Sequence, residues 1–269
     1  MPKALPPFMT QRKRRQQQPE RYHGAMFAML ISSKITIARR FLVAVACSGL
    51  AGVTLSAQAA GVGINGRIDA AVQSRVENVA SFSDVERYAV YRGKDEVHPV
   101  ASITVKVTYR KGIGKDYIIL SQTGSAIIRK FGLVPLLEDE KNINKPGNVE
   151  HSWFTSDNYE MRLRSDTVER VNGRECYAVA ITPRHKAPNM IDGTLWVDAK
   201  DFSIVKVDGI ASQKPSVFAG TTHMMRQYAS VDGYPMATHA RAVSDSWLFG
   251  RTVVTIDYSD YSLELSRHR

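Results

Sequence analysis

Val171-Asn172-Gly173-Arg174-Glu175-Cys176-Tyr177-Ala178-Val179-Ala180-Ile181 is the stretch on which the fold turns. Asn-Gly between two extended runs is a strong hairpin signal, because both central residues of a tight hairpin turn take positive φ and both of these accept it. Tyr177, Val179 and Ile181 then recur at every second position, the spacing of a strand with one face buried. Tyr159 to Arg164 supplies an extended run just upstream.

The same grammar continues toward the C-terminus. Thr194 to Val197 and Ser203 to Ile210 turn at Ala199-Lys200-Asp201. Thr222 to Ser230 turns at Val231-Asp232-Gly233 into Pro235 to Ser246, and Phe249-Gly250-Arg251 turns into Val254, Ile256 and Tyr258. Strands joined by tight turns with no helices between them make an antiparallel sheet and not a βαβ fold. No fixed-period repeat or internal linker divides the segment.

Toward the N-terminus the period is two from about Ser83, clearest in Ile103, Val105, Val107 and Tyr109, and again from Tyr117 to Leu120. Two helical regions interrupt it. Ile64, Ile68, Val72, Val76 and Val79 recur every three or four residues, a stripe of about four turns. Between Ser125 and Asn144 lie Ile127, Ile128, Phe131, Leu136 and Leu137, with Gly132 and Pro135 placed to break or kink the helix. The acidic end Glu138-Asp139-Glu140 reads as a solvated face, and Lys145-Pro146-Gly147-Asn148 as a loop. Gly61-Val62-Gly63-Ile64-Asn65-Gly66 spells G-x-G-x-x-G, but no strand precedes it, so it reads as a flexible terminus of the mature chain and not as a nucleotide site. Nine or so strands with two helices predict a mainly β, α+β domain: a curled antiparallel sheet with the helices over its concave face. Such a face leaves a cavity suited to an apolar ligand.

The first 59 residues read differently. Residues 1–25 carry Gln11-Arg12-Lys13-Arg14-Arg15 with no apolar periodicity: a basic tail, or translation upstream of a start at Met26 or Met29. Lys34, Arg39 and Arg40 then precede an apolar run from Phe41 to Leu55, followed by Ala57-Gln58-Ala59. Charge, short apolar core and A-x-A site make residues 26–59 a secretory signal peptide, the run being shorter than the about 20 residues of a membrane span. The expectation is export, cleavage near Ala59/Ala60, and one soluble domain over residues 60–269. Arg39-Arg40 hints at twin-arginine export, and lipid modification at Cys47 is the alternative processing.

The leader also carries the charge. Of 36 Lys/Arg and 26 Asp/Glu, residues 1–59 hold nine and one, which leaves 27 against 25 in the rest. A near-neutral domain offers no footprint for nucleic acid. With Cys47 removed, Cys176 is the one cysteine left, a mid-strand thiol expected to be buried and inert.

No catalytic or metal-binding pattern emerges. His98, His151, His185, His223, His239 and His268 form no H-x-H or H-E-x-x-H pattern, although His223 and His239 could face each other across a hairpin. There is no G-x-S-x-G elbow and no P-loop. Asp192, Asp198, Asp201, Asp208 and Asp257 sit in or beside strands and turns, where carboxylates cap or solvate. The reading is a binding protein, not an enzyme, with no cofactor; an unrecognised hydrolase working through a clustered Asp or His is the lesser alternative. Trp153, Phe154, Tyr159, Met161, Tyr177, Trp196, Met224, Tyr228 and Trp247 are the candidates for lining an acyl cavity, because aromatic and Met side chains adapt to flexible apolar ligands. Core packing is the competing role for each.

The order of these phrases resembles the outer-membrane lipoprotein-sorting proteins related to the LolA/LolB lipoprotein carriers. The resemblance runs through Asn158-Tyr159-Glu160-Met161, Val171-Asn172-Gly173-Arg174, Cys176-Tyr177, Gly193-Thr194-Leu195-Trp196-Val197-Asp198 and Phe202-Ser203-Ile204-Val205-Lys206-Val207. It continues through Lys214-Pro215-Ser216, Val231-Asp232-Gly233-Tyr234-Pro235 and Ile256-Asp257-Tyr258. It implies an open half-barrel with helices over the concave face, an apolar cavity, and lipid or an acylated lipoprotein as ligand. Inner- and outer-membrane proteins would be the partners. Other relatives of this fold bind different lipids or act as sensors, and that alternative stays open.

Overall fold

The computed structural model describes residues 54–187, 189–214, 220–246 and 250–266. The segment 1–25, the expected signal peptide up to residue 53 with Cys47, and Trp247 lie outside the described residues, as do the side chains of 54–62.

A helix, α1 (Thr54–Asn78), leads into β1 (Val79–Arg92), β2 (Ala101–Arg110) and β3 (Gly114–Gly124). A second helical unit follows: α2 (Ala126–Ile128), a π-helical turn (Arg129–Leu133) and α3 (Val134–Ile143). After a 3-10 turn (Val149–Ser152) the chain forms β4 (Tyr159–Leu163), β5 (Glu169–Val171), β6 (Arg174–Pro183), β7 (Ile191–Asp198) and β8 (Ile204–Ala211). It ends with β9 (Thr222–Val231), β10 (Tyr234–Ser246) and β11 (Gly250–Leu265). All eleven strands join one antiparallel sheet, ordered β3-β2-β1-β11-β10-β9-β8-β7-β6-β4, with β5 paired to β6. The sheet is open between β3 and β4, and the fold is the curled α+β half-barrel expected from the sequence.

The turns behave as their residues require. Asn172 and Gly173 take φ of 50° and 79°, and Asp232 and Gly233 take 50° and 85°. Bulges in β1, β3, β8, β10 and β11 add twist to the curl. Gly193 and Gly209 face each other across β7 and β8, and a Cβ on either would lie 2.2 Å from a carbonyl oxygen of the other strand.

Two expectations are corrected. Gly61 to Gly66 is no flexible terminus: it lies within α1, where Ile64 and Ile68 are buried and their packing offsets the helix cost of glycine, about 1 kcal/mol each. Val79 ends the helical stripe in sequence but opens β1, paired with Leu265. The break expected at Gly132 and Pro135 is realised as the π-helical turn, with Pro135 in the first turn of α3, where a missing N–H costs nothing.

Strand register places one face against both helical units. Cα partners share a face, and one row crosses eight strands: Val179, Leu195, Val207, Arg226, Ala240, Ile256, Tyr88 and Ile103. Helix α1 packs Ile64, Ile68, Ala71 and Val72 onto β4, β6, β7 and β8. The second unit packs Ile128, Leu133, Val134 and Leu137 onto β1, β2, β10 and β11. The inner face therefore carries two apolar clusters side by side, each under its own helical roof. Among the described residues the outer face carries a small apolar cluster, Ala89, Tyr91 and Val253.

Candidate functional site

A buried polar centre lies between the two clusters. Arg226 occupies the middle of the inner-face row, and Tyr258 stands opposite Glu86 on the neighbouring strands. Lys115 reaches in from β3, its Nζ 2.7 Å from Glu86 Oε1 and 3.5 Å from Glu140 Oε2 of α3. Arg226 lies 3.8 Å from the other Glu140 oxygen, and the Tyr88 hydroxyl donates to Glu86. The side chains of Glu86 and Lys115 are 2% and 8% exposed, so these ions work in a low-dielectric setting. Burial opposes the charge on Lys115, but Glu140 and Glu86 outweigh it and hold its pKa above the ordinary lysine value. Burial likewise opposes ionisation of Glu140, and Lys115 and Arg226 overcome it and depress its pKa. Glu140 thus departs from the solvated face expected of Glu138-Asp139-Glu140: the helix turns its last acid inward to meet two cations, while its neighbours stay exposed.

Two ions are left over from this arrangement. Asp84, on β1 opposite Val107, is 1% exposed, and neither carboxylate oxygen has a hydrogen-bond partner. The hydroxyl of its neighbour Tyr261 donates to the Ala237 carbonyl at 2.8 Å. Burial, and then repulsion from Glu86, push the Asp84 pKa up to about 7 against the pull of Lys115 and of the neighbouring Tyr261 hydroxyl. Arg75, in the last turn of α1, sends Nη2 to the Met236 sulfur at 3.6 Å, while its Nε is buried and without a partner. Its electrostatic neighbours are the phenols Tyr228, Tyr261 and Tyr109, and burial lowers its pKa. Arg75 also lines a cavity of about 60 Å³ with Phe82, Tyr109, Asn144, Val149 and Trp153. A wider hollow of about 430 Å³ near Arg174 and Lys200 is polar, and there Arg174 already pairs with Asp198 and Asp201.

Most of the aromatic and Met candidates fall on the inner face. Trp153 borders the small cavity. Phe154 stacks on Tyr159 at 5.3 Å, and Tyr159 and Met161 are buried under α1. Tyr177 stacks on Phe202, and Met224 and Tyr228 are partly buried against the same cluster. Trp196 stands apart, on the outer face: it is paired with Lys206, whose ammonium sits 4.8 Å from its ring centre, and its Nε1 donates to Glu169. His223 and His239 do not face each other. His223 sits opposite Val243 and pairs with Asp208, whereas His239 sits opposite Gln227 and pairs with Asp257. Cys176 is buried, and burial pushes its thiol pKa up, as expected of an inert core cysteine. Among the described residues no three His, Cys, Asp or Glu side chains gather where they could hold a metal ion.

The polar centre was missed in sequence because its members come from β1, β3, α3, β9, β11 and α1. One signal was available: Asp84 and Glu86 fall in step with Tyr88 and Val90, at positions where a half-buried strand should be apolar.

No protein-family profile matches the chain, and neither does any curated protein. Solved structures do. A LolA superfamily protein from Nitrosomonas europaea is 16% identical, with 76% of this chain and 93% of that one covered and a TM-score of 0.41. A domain assigned as an outer membrane lipoprotein-sorting protein, from Vibrio parahaemolyticus, is 16% identical over 77% and 93% of the two chains, with a TM-score of 0.44. A DUF1329 family protein from Desulfovibrio piger is 14% identical over 77% and 92%, with a TM-score of 0.39.

Proposed function

We propose that the protein is an exported, periplasmic carrier of lipids or acylated lipoproteins toward the outer membrane, holding acyl chains between its helical units and the inner face of the sheet. The observation that carries this reading is the divided roof. Two adjoining apolar clusters share one face of an open sheet, and each is covered by a helical unit tethered separately to it. Displacing either unit would uncover a broad apolar floor without unpairing a strand. The cavity of about 60 Å³ is too small for an acyl chain, so uptake requires such a displacement. The gain is large enough to drive it, since burial of each CH₂ contributes about 0.8 kcal/mol. The leader-like sequence of residues 26–59 supports export, and no helix among the described residues is long and apolar enough to cross a membrane.

The test is to express the full chain in a bacterial host, purify the periplasmic fraction without detergent, and combine native mass spectrometry with lipid extraction. Near-stoichiometric phospholipid or acylated peptide on a chain shortened near Ala59 is expected. A clean unliganded mass that also resists added lipid would refute carriage.

A second reading, a sensor or scaffold of the same fold, draws on the free edge of the sheet. Strand β3 is terminal and exposes Ile118 and Leu120, and the helical unit beside it exposes Ile127 and Phe131. One stable partner recovered by pull-down, with binding indifferent to lipid, would favour it over carriage.

A further inference from the structure

The outward side of the second helical unit carries large apolar groups that its packing does not use. Ile128, Leu133, Val134 and Leu137 pack toward the sheet, whereas Ile127, Lys130 and Phe131 lie within one helical turn of each other on the exposed side. Ile127 and Phe131 are 70% and 51% exposed, and the Lys130 ammonium sits 5.5 Å from the Phe131 ring centre. The unit leaves β3 at Gly124, and by Glu138 it is back beside Tyr117, whose hydroxyl donates to that carboxylate. Ile127 and Phe131 therefore flank the segment of the free strand edge in which Ile118 and Leu120 are exposed. The Ser125 N–H donates to the Val100 carbonyl, which brings the turn at residues 93–100, with its exposed Val97, to the same end. The charge here has one sign. From Tyr117 to Leu137 the chain has two cations, Arg129 and Lys130, and no Asp or Glu, and Lys106 is exposed opposite Ile118. Acids at the margins are paired: Asp116 with Lys141, Asp95 with His98, and Glu96 with Arg241 and Arg251. Glu138 and Asp139 lie about two turns beyond Phe131. Apolar groups exposed together mark an interaction site, and cations among them fit an anionic partner.

We infer that this patch docks the protein on an anionic phospholipid surface, with Ile127 and Phe131 entering the boundary between headgroups and acyl chains and Lys130 and Lys106 meeting lipid phosphates. This rests on the carrier reading above and adds the surface at which lipid is collected or delivered. A helix satisfies its own backbone polar groups, so the side chains it carries can enter an apolar medium. The unpaired edge of β3 cannot, and its N–H and C=O groups stay at the level of the headgroups. Apolar anchors beside interfacial cations are the pattern of a segment that lies in the plane of a membrane surface. A second copy docked patch to patch would oppose like charges. The patch is also the outward side of the roof over the second cluster, so docking brings the lipid surface to the element whose displacement opens the apolar floor.

The experiment uses the full chain, exported and purified from the periplasm, and sediments it with vesicles of phosphatidylcholine alone or mixed with phosphatidylglycerol. Binding should favour the anionic vesicles and weaken as salt is raised. Lys130→Gln should weaken it roughly fivefold, the usual worth of one basic residue near an anionic surface. Ile127→Ser combined with Phe131→Ser should weaken it roughly tenfold or more through lost apolar burial. Any leader retained at the N-terminus contributes equally to wild type and variants, so the ratio between them is the readout. Phe131→Trp keeps an aromatic anchor, and its fluorescence should shift to the blue and be quenched by brominated lipid on anionic vesicles. No sedimentation with anionic vesicles, or sedimentation that these substitutions leave unchanged, would overturn the docking surface. A protein partner held through Ile127 and Phe131 by a chain that ignores vesicles would assign the patch to the scaffold reading and overturn the bilayer. Lipid on the purified chain without vesicle binding would refute docking and leave carriage standing. Vesicle binding through this patch by a chain that holds no lipid would refute carriage alone.

Discussion

Replacing Asp84 by Asn should make the protein's stability less sensitive to pH, and the size of the effect follows from burial. The carboxyl is 1% exposed, and burial raises its pKa from 3.8 to about 7. Between those values the native state keeps the proton and the unfolded chain has lost it. The unfolded state then binds fewer protons, so stability falls as pH rises from about 4 to about 7 and levels off above. The swing attributable to this one group is on the order of 4 kcal/mol, from about three pKa units at roughly 1.4 kcal/mol each. Asn is nearly isosteric and does not titrate. Whatever its amide costs is the same at every pH and cancels from the comparison. Urea unfolding of both proteins at pH 4.5, 6 and 8, followed by tryptophan fluorescence, measures the difference directly. The variant should gain on the wild type with each step upward in pH. A free-energy difference constant across the range would show that Asp84 is solvated or paired in solution, and would refute the reasoning about its burial.

Other substitutions probe the remaining parts. Lys115→Met removes the cation shared by Glu86 and Glu140, and the unpaired buried carboxylates should cost roughly 3–5 kcal/mol in denaturant unfolding at pH 7. Gly193→Ala sets a methyl group against backbone of β8, so it should destabilise by about 1–3 kcal/mol or more, with a lowered melting temperature as the readout. Ile68→Ala, under α1, should cost about 2–5 kcal/mol by the same assay. Trp196→Phe, on the outer face, should leave displacement of a bound acyl probe unchanged.

The strand series was legible because turn chemistry and period two are local. Asn172-Gly173 and Asp232-Gly233 adopt the positive φ that the hairpin reading demanded, and the strands they join fall close to the expected positions. Strand β1 was harder to see, because Asp84 and Glu86 interrupt the apolar alternation of its inner face. The inner positions of Tyr159, Met161 and Tyr177 and the outer position of Trp196 follow from register, which only the assembled sheet fixes. The same holds for the polar centre, whose ion pairs Lys115–Glu140, Glu86–Lys115 and Glu140–Arg226 join residues 25, 29 and 86 positions apart in the chain, so no local pattern could announce them.

Trp153 and Trp196 offer a direct test of where an acyl chain lies, since one borders the inner cavity and the other faces outward. The measurement is quenching of two single-tryptophan variants by a phospholipid brominated along its acyl chains. One variant keeps Trp153 and the other keeps Trp196, with the remaining tryptophans changed to Phe. Carriage between the helices and the inner face requires saturable quenching of Trp153 with Trp196 little affected. Quenching of Trp196 alone, or no saturable quenching of either, would contradict it.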